Sequence, residues 1–174
     1  MDRQERQRPN RSREAATNVP ARALFAAGIF GFGFSGLIDV IVLHHILQWH
    51  HLVSAIYPMT TLSGLRMNIF ADGLFSIGMI LVMGIGGGLV WRSERRTSVP
   101  LAFRPLAGAA VIGLGVFDLF DVVVNHAVLG LHHAVSRGGR YDPHWAIVSI
   151  GIILVGVYVY RTGLKNERGA VDNS

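Results

Sequence analysis

Four long apolar segments constrain the fold of this chain more than any other feature of its sequence. They cover roughly residues 23–47, 67–91, 106–131 and 144–160. Each approaches or exceeds the roughly 20 residues that an α-helix needs to cross the hydrocarbon core of a bilayer. Inside that core a chain must satisfy its backbone hydrogen bonds internally, and continuous apolar runs do so as helices. The sequence therefore predicts an all-α protein with four transmembrane helices, the first continuing as helix through His51.

Composition supports a membrane protein and excludes several other classes. Charged residues make up only 16% of the chain, whereas soluble domains carry about a quarter. The formal net charge is +5, but the basic residues have no aromatic neighbours and no binding motif, so no nucleic-acid partner is expected. The chain has no cysteine, which excludes disulfides and thiolate metal ligands. The expected surroundings are a lipid bilayer.

The distribution of Lys and Arg predicts the orientation of the helices. Thirteen of the 16 lie in the two tails or in the loop between the second and third helices, and three lie in the other two loops. Because cytoplasmic flanks carry the excess of positive charge, both termini are expected in the cytoplasm, with the protein in the cytoplasmic (inner) membrane. Residues 1–22 are predicted to be a disordered basic tail and residues 163–174 a second cytoplasmic tail, on either side of a membrane domain at 23–162.

The chain uses one stretch twice. Residues 31–54 and 113–136 align without a gap at an offset of 82, and 12 of the 24 positions are identical, among them an Asp, a His and a His-His pair. A shorter match links Ser76–Val82 with Ser149–Val155. These matches predict two tandem helical hairpins, at 23–91 and 105–162, that form a four-helix bundle about a pseudo-twofold axis along the membrane normal.

The duplicated polar residues are the candidate functional site. All eight histidines fall at the predicted outer ends of the helices or in the outer loops. In an unbroken helix Asp39 would share one face with His50, and His44 a second face with His51. The pseudo-axis would bring His44 opposite His126, as two ligands of a metal ion or of a b-type haem. Imidazole suits copper, iron and zinc, and the predicted ligands are His44, His50, His51, His126, His132, His133, Asp39 and Asp121.

Other interpretations of these residues stay open. Interfacial histidines often serve packing, so a non-catalytic membrane scaffold or interaction protein is one alternative. Ionisable residues within membrane segments mark ion pathways in many proteins, but a proton or ion path through Asp39, Asp121 and Asp72 would find no ionisable chain in the cytoplasmic half. Asp72 and Asp118 also lack a counterpart in the other half, where Trp145 and Gly36 stand. No nucleophile accompanies a base and an orienting acid, so the sequence does not favour an enzyme.

The spacing of the polar residues resembles that of a known family. The stretch G-x-x-D-x-x-x-x-H-H-x-x-x-x-H-H from Gly36 to His51, followed by D-x-x-x-N-H-x-x-x-x-x-H-H from Asp121 to His133, is similar to the DUF2243 family of prokaryotic membrane proteins of unassigned function. The resemblance covers the four helices and not the tails. It implies an association with assembly factors of respiratory cytochrome oxidase, and through them with copper or haem. It implies no catalytic residues and no oligomeric state.

Overall fold

The computed structural model describes residues 19–135 and 139–172, with side chains up to residue 166. Helix α1 spans Ala21–Asp39, α2 spans Leu62–Glu94, α3 spans Phe103–Phe120 and α4 spans Asp142–Asp172. A π-helical segment continues α1 over Val40–Ile46, another continues α3 over Asp121–Val128, and a 3₁₀ turn at Gly139–Tyr141 precedes α4. The predicted basic tail lies outside the described residues except for 19–22, of which Ala21 and Arg22 belong to α1.

The four predicted membrane spans are confirmed. Helical segments long and apolar enough to cross a bilayer cover Ala21–Ile46, Leu62–Glu94, Phe103–Val128 and Gly139–Asn166. No strand occurs in the part of the chain that the structure describes, so the all-α class is also confirmed. The apolar side chains on the outside of this bundle, such as Phe25, Phe70 and Leu154, are more than 60% exposed. In a bilayer that surface would contact lipid rather than water.

The two hairpins meet through their first helices. Three pairs of helices pack against each other extensively: α1 with α2, α1 with α3, and α3 with α4. Helices α1 and α3 therefore form the centre, and α2 and α4 flank them on opposite sides. The two duplicated segments lie on α1 and α3, so this packing brings the duplicated polar residues together at one end of the molecule. A pseudo-twofold relation between the hairpins stays a prediction.

Glycine allows the two central helices to touch backbone to backbone. A Cβ atom added at Gly31 would lie 1.8 Å from the carbonyl oxygen of Ala110, and one at Gly113 would lie 2.0 Å from that of Gly28. Small residues are the usual means of close helix approach in membranes, where lipid leaves no hydrophobic force between helices. These two glycines correspond at the offset of 82, as do Gly28 and Ala110.

The predicted continuation of the first helix through His51 is wrong. The π-helical segment ends at Ile46, and the amides of Leu47 and Trp49 close it by donating to the carbonyls of Val42 and Leu43 at 2.8 and 2.9 Å. Residue Gln48 then adopts φ of 51°, a left-handed conformation in which an α-helix does not continue.

The third helix ends in the same way as the first. Leu129 and Leu131 donate to the carbonyls of Val124 and Asn125, both at 2.8 Å. Gly130, the counterpart of Gln48, has φ of 59°, which glycine adopts without steric cost. At the end of both helices the chain therefore leaves the helix axis just before a His-His pair.

Candidate metal centre

The π-helical segments place an aspartate beside a histidine five residues later. In an α-helix residues five apart point about 140° away from each other, but the i→i+5 repeat of a π-helix brings them to the same face. The Nε2 atom of His44 lies 3.2 Å from Oδ2 of Asp39. Likewise Nε2 of His126 lies 2.9 Å from Oδ2 of Asp121. The expected pairing of Asp39 with His50 on one helical face is therefore wrong, because it assumed an unbroken α-helix.

The first histidine of each His-His pair crosses to the other half of the chain. The Nδ1 atom of His50 donates to the carbonyl oxygen of Ala134 at 3.0 Å, and Nδ1 of His132 donates to that of Leu52 at 3.0 Å. The two rings stack nearly parallel, with centroids 4.6 Å apart. This reciprocal exchange holds the two non-helical segments against each other.

His44 and His126 flank that stacked pair instead of meeting directly. The ring of His44 lies 4.5 Å from His50 and 5.9 Å from His132. The ring of His126 lies 4.5 Å from His132 and 6.2 Å from His50. The expectation that His44 and His126 face each other is therefore not met. The rings of His50 and His132 occupy the space between them in which a haem plane would have to lie.

Four histidine nitrogens point into this cluster without making a hydrogen bond, although two of them face the carboxylates of Asp39 and Asp121 at the distances given above. They are the Nε2 atoms of His44, His50, His126 and His132, and all four are buried. A carbonyl oxygen can only accept, so Nδ1 of His50 and of His132 carries the ring proton, and Nε2 presents a lone pair when the ring is neutral. Burial, then the neighbouring His44 and His132, lowers the pKa of His50 to about 2, so this ring is neutral at physiological pH.

Asp72 of α2 fixes the orientation of the first half of the cluster. One oxygen of Asp72 lies 2.8 Å from Nδ1 of His44 and accepts from the backbone N–H of Leu52 at 2.9 Å. Its other oxygen lies 2.5 Å from Nδ1 of His51. The Asp72 side chain is fully buried, and it lies behind the imidazole in the manner of the carboxylates that orient metal-binding histidines.

Asp142, the first residue of α4, makes the same three contacts in the second half. Its oxygens lie 3.1 Å from Nδ1 of His126 and 2.8 Å from Nδ1 of His133, and one of them accepts from the N–H of Ala134 at 2.9 Å. The sequence comparison missed this residue because it aligned α2 and α4 at an offset of 73, which put Trp145 opposite Asp72. The duplication itself could have indicated this residue, because a second set of histidines is expected to have a second orienting carboxylate.

The predicted ligands thus divide into two classes. His44, His50, His126, His132, Asp39 and Asp121 contribute to the central cluster, whereas His51 and His133 lie outside it against Asp72 and Asp142. Three groups of ligand atoms are close enough to hold a metal ion: His44 with His50 and His132; Asp121 with His126 and His132; and His44 with His51 and Asp72.

One carboxylate and two histidines contribute less to the cluster. Asp118 accepts a buried hydrogen bond of 2.7 Å from Ser35 across the α1–α3 contact. His45 is 43% exposed and lies 3.6 Å from Asp72. His144 is exposed and contacts the ring of Tyr141. None of these side chains belongs to the groups that could hold an ion.

No lysine or arginine is recorded as a partner of the described carboxylates of the cluster, so no side chain of fixed positive charge balances them. Among the described residues, the recorded ion-pair partners of Asp39, Asp72, Asp121 and Asp142 are all histidines. Buried carboxylates are costly unless a cation neutralises them. That cation must be either a proton on an imidazole or a bound metal ion.

Comparison with known proteins assigns the chain to a family. The model of the DUF2243 family, described as a predicted membrane protein, matches residues 26–163. The chain therefore belongs to this family, and the resemblance seen in its Asp and His spacing is confirmed. No curated protein matches the chain, and no solved structure matches it either.

Proposed function

We propose that this DUF2243 protein binds a first-row transition metal in the histidine-aspartate cluster at the outer end of its helices. The observation that carries the proposal is the set of four buried Nε2 atoms that make no hydrogen bond, two of which lie 3.2 and 2.9 Å from a carboxylate oxygen. The Nδ1 atom on the opposite side of each ring bonds a carboxylate or a backbone carbonyl. Metal-binding histidines show this arrangement almost without exception, because the bond at one nitrogen fixes the tautomer that exposes the other.

The chemistry of the facing atoms favours a cation over a water molecule. With neutral rings the four Nε2 atoms are acceptors, and so are the nearby Oδ2 atoms of Asp39 and Asp121. A water molecule could donate to only two of them. Leaving a buried acceptor unpaired costs about 1–3 kcal/mol. A metal ion satisfies several acceptors at once and offsets the carboxylate charge, which is why a cluster of this kind is stable when loaded.

The donor set narrows the choice of metal. Imidazole nitrogens with carboxylate oxygens suit copper, iron and zinc, and the absence of cysteine removes the thiolate sites that favour Cu(I). The position of the His50 and His132 rings favours bare ions over a haem on His44 and His126. Copper or iron handling beside respiratory oxidase assembly is the context that the family resemblance suggests.

The orientation of the protein can be tested with reporter fusions. The bias of thirteen to three in Lys and Arg predicts cytoplasmic termini and an outward-facing cluster. A reporter active only in the cytoplasm should therefore give a signal when fused at Ser174 and none when inserted between Arg137 and Arg140. A reporter active only outside should give the reverse. Signals on the same side would contradict the four-span orientation.

Metal analysis of the detergent-purified protein tests the proposed function. We expect wild-type protein to retain copper, iron or zinc through purification, or to bind added Zn²⁺ or Cu²⁺ at stoichiometric levels. The double variant His50→Ala, His132→Ala should lose most of this binding, because it removes the stacked pair from the centre of the cluster. His144→Ala is the matched control, since His144 is exposed and outside the cluster.

The alternative of a structural scaffold makes a different prediction. If the histidines serve only packing, wild-type protein should bind no metal beyond the level of the double variant. The double variant should then differ from wild type only in thermal stability. Metal content that is equal in all three proteins, at matched monodispersity in detergent, would overturn the metal proposal.

A further inference from the structure

We infer that the cluster holds two metal ions, one beside each half of the chain, with the His50–His132 pair between them. This inference rests on the proposed metal-binding function and adds the number and the arrangement of the ions. Its starting point is that the ligand atoms do not form one group. His44 and His126 belong to different groups, and only His132 belongs to both of the groups that contain the unpartnered nitrogens.

The second half of the cluster has the geometry of one coordination sphere. Oδ2 of Asp121 lies 2.9 Å from Nε2 of His126 and 3.5 Å from Nε2 of His132. Ligands bound to one ion at about 2.0–2.1 Å, with angles of about 90–110° between them, lie roughly 2.9–3.4 Å apart. The two distances are close to this range, and the ligand atoms of all three residues lie within 4.8 Å of one another. Among the described residues, Asp121 has one further side-chain hydrogen bond: the amide of Asn125 donates to its other oxygen, Oδ1, at 2.7 Å.

The first half repeats this geometry in outline. Nε2 of His44 lies 3.2 Å from Oδ2 of Asp39. The ring of His44 lies 4.5 Å from His50, the same separation as that between His126 and His132. His44 and His50, whose ligand atoms lie within 4.8 Å of each other, therefore offer two imidazoles to a second ion. Asp39 is outside the groups whose ligand atoms are already that close together, but it places a carboxylate oxygen beside Nε2 of His44.

A single ion would leave part of the cluster unsatisfied. An ion held by Asp121, His126 and His132 lies in a group that excludes His44, whose buried Nε2 atom makes no hydrogen bond and faces only the carboxylate of Asp39 at 3.2 Å. The same holds for His126 when the ion lies on the other side. Two ions account for all four nitrogens.

The formal charge of the cluster also fits two ions. Asp39 and Asp121 face the rings from within, and Asp72 and Asp142 lie behind them. Four carboxylates carry four formal negative charges, and two divalent ions would neutralise them while every imidazole stays neutral. One divalent ion would leave two formal negative charges, which protons on the imidazoles would then have to neutralise.

Each ion would have three protein ligands from its own half. Sites with three protein ligands keep a position open for water or another small ligand, whereas purely structural zinc sites are closed by four. The inferred centre therefore has room for a small exogenous ligand at each ion. Paired ions of this kind are known to act on ligands that bridge them.

Titration of the full-length protein with Zn²⁺ in detergent tests this inference. We expect wild type to bind two ions per chain. His126→Ala should bind one, because it dismantles the second set and leaves the first, and His44→Ala should bind one for the converse reason. His144→Ala should still bind two.

The outcomes separate this inference from the proposed function. One ion in the wild type would overturn the two-ion inference and leave metal binding standing. No ion would overturn both. Two ions in the wild type with none in either single variant would contradict one ion per half.

Electron paramagnetic resonance of the Cu²⁺-loaded wild type gives a measurement that does not depend on the stability of a variant. Two adjacent Cu²⁺ ions should couple, so that the signal accounts for clearly less copper than chemical analysis finds. A signal that accounts for all the copper when two Cu²⁺ ions are bound per chain would overturn the inference.

Discussion

Replacement of Gly113 by valine is expected to separate the two central helices and abolish the native fold. A Cβ atom at this position would lie 2.0 Å from the carbonyl oxygen of Gly28 and 2.9 Å from its Cα. Both contacts are with backbone, which cannot rotate away as a side chain can. Overpacking usually costs about 1–3 kcal/mol, and here we expect the upper end of that range or more, because whole helices must move apart.

Gly78→Val is the matched control for this experiment. Gly78 lies in α2, another membrane helix, and a Cβ atom added there would meet nothing within 4 Å. We expect the control to elute from size-exclusion chromatography and to melt in detergent as the wild type does. Gly113→Val should aggregate or melt at a much lower temperature. A melting temperature equal to that of the control would show that α1 and α3 are not held in this close contact.

The sequence was sufficient to predict the helices because the bilayer leaves few other choices. Apolar length alone located the four spans, although the end predicted for the fourth, at residue 160, falls well short of Asp172, where α4 ends. The shared Gly31 and Gly113 lie where the central helices touch. The duplication also selected the correct residue types for the cluster. All these features depend on local composition or on a comparison of the chain with itself.

The geometry within the cluster could not be predicted from helical periodicity. A π-helical segment begins just after Asp39 in α1 and at Asp121 in α3, and it changes which residues share a face. The first of these segments ends at Ile46, and Gln48, two residues later, has a left-handed backbone. Glutamine gives no sequence signal for such a conformation, whereas Gly130, its counterpart, does. Comparing the two positions would have indicated that both helices stop before the His-His pairs.

The role of Asp142 was hidden for a different reason. Asp72 lies inside α2, while Asp142 begins α4, so the two carboxylates reach the same depth from different positions in their helices. An alignment of α2 with α4 by their apolar motif therefore cannot pair them. Only the contacts with His44 and His126 show that they are equivalent. These contacts depend on how the loop that joins α1 to α2, and the loop that joins α3 to α4, pack against the helices.

Replacement of Asp72 by asparagine is expected to weaken metal binding in the first half by about 10–100-fold, the usual consequence of removing the group behind a metal-bound histidine. The loss follows from the direction of hydrogen bonding. Asp72 accepts from the N–H of Leu52, and its two oxygens lie beside Nδ1 of His44 and Nδ1 of His51. Asparagine keeps one oxygen as an acceptor and has an amide NH₂ group, a donor, in place of the other oxygen.

An amide N–H that faces an imidazole nitrogen requires that nitrogen to accept. If His44 accepts at Nδ1, its proton moves to Nε2, and the atom that would bind the metal loses its free lone pair. If His51 accepts instead, His44 keeps its tautomer but His51 gives up its charge-assisted bond to Asp72. The first outcome lowers affinity directly, and the second loosens the segment that carries His50.

Competition with a chromophoric zinc chelator measures the effect, and Asp118→Asn is the matched control. Asp118 is also a buried carboxylate, but it accepts from Ser35 and is not among the recorded partners of any histidine. Its replacement removes a similar charge without changing a tautomer, so the loss of affinity should be much smaller. Asp142→Asn should resemble Asp72→Asn, because it has the same three contacts in the second half. Equal affinities for Asp72→Asn and Asp118→Asn would mean that charge alone, and not the orientation of His44, holds the ion.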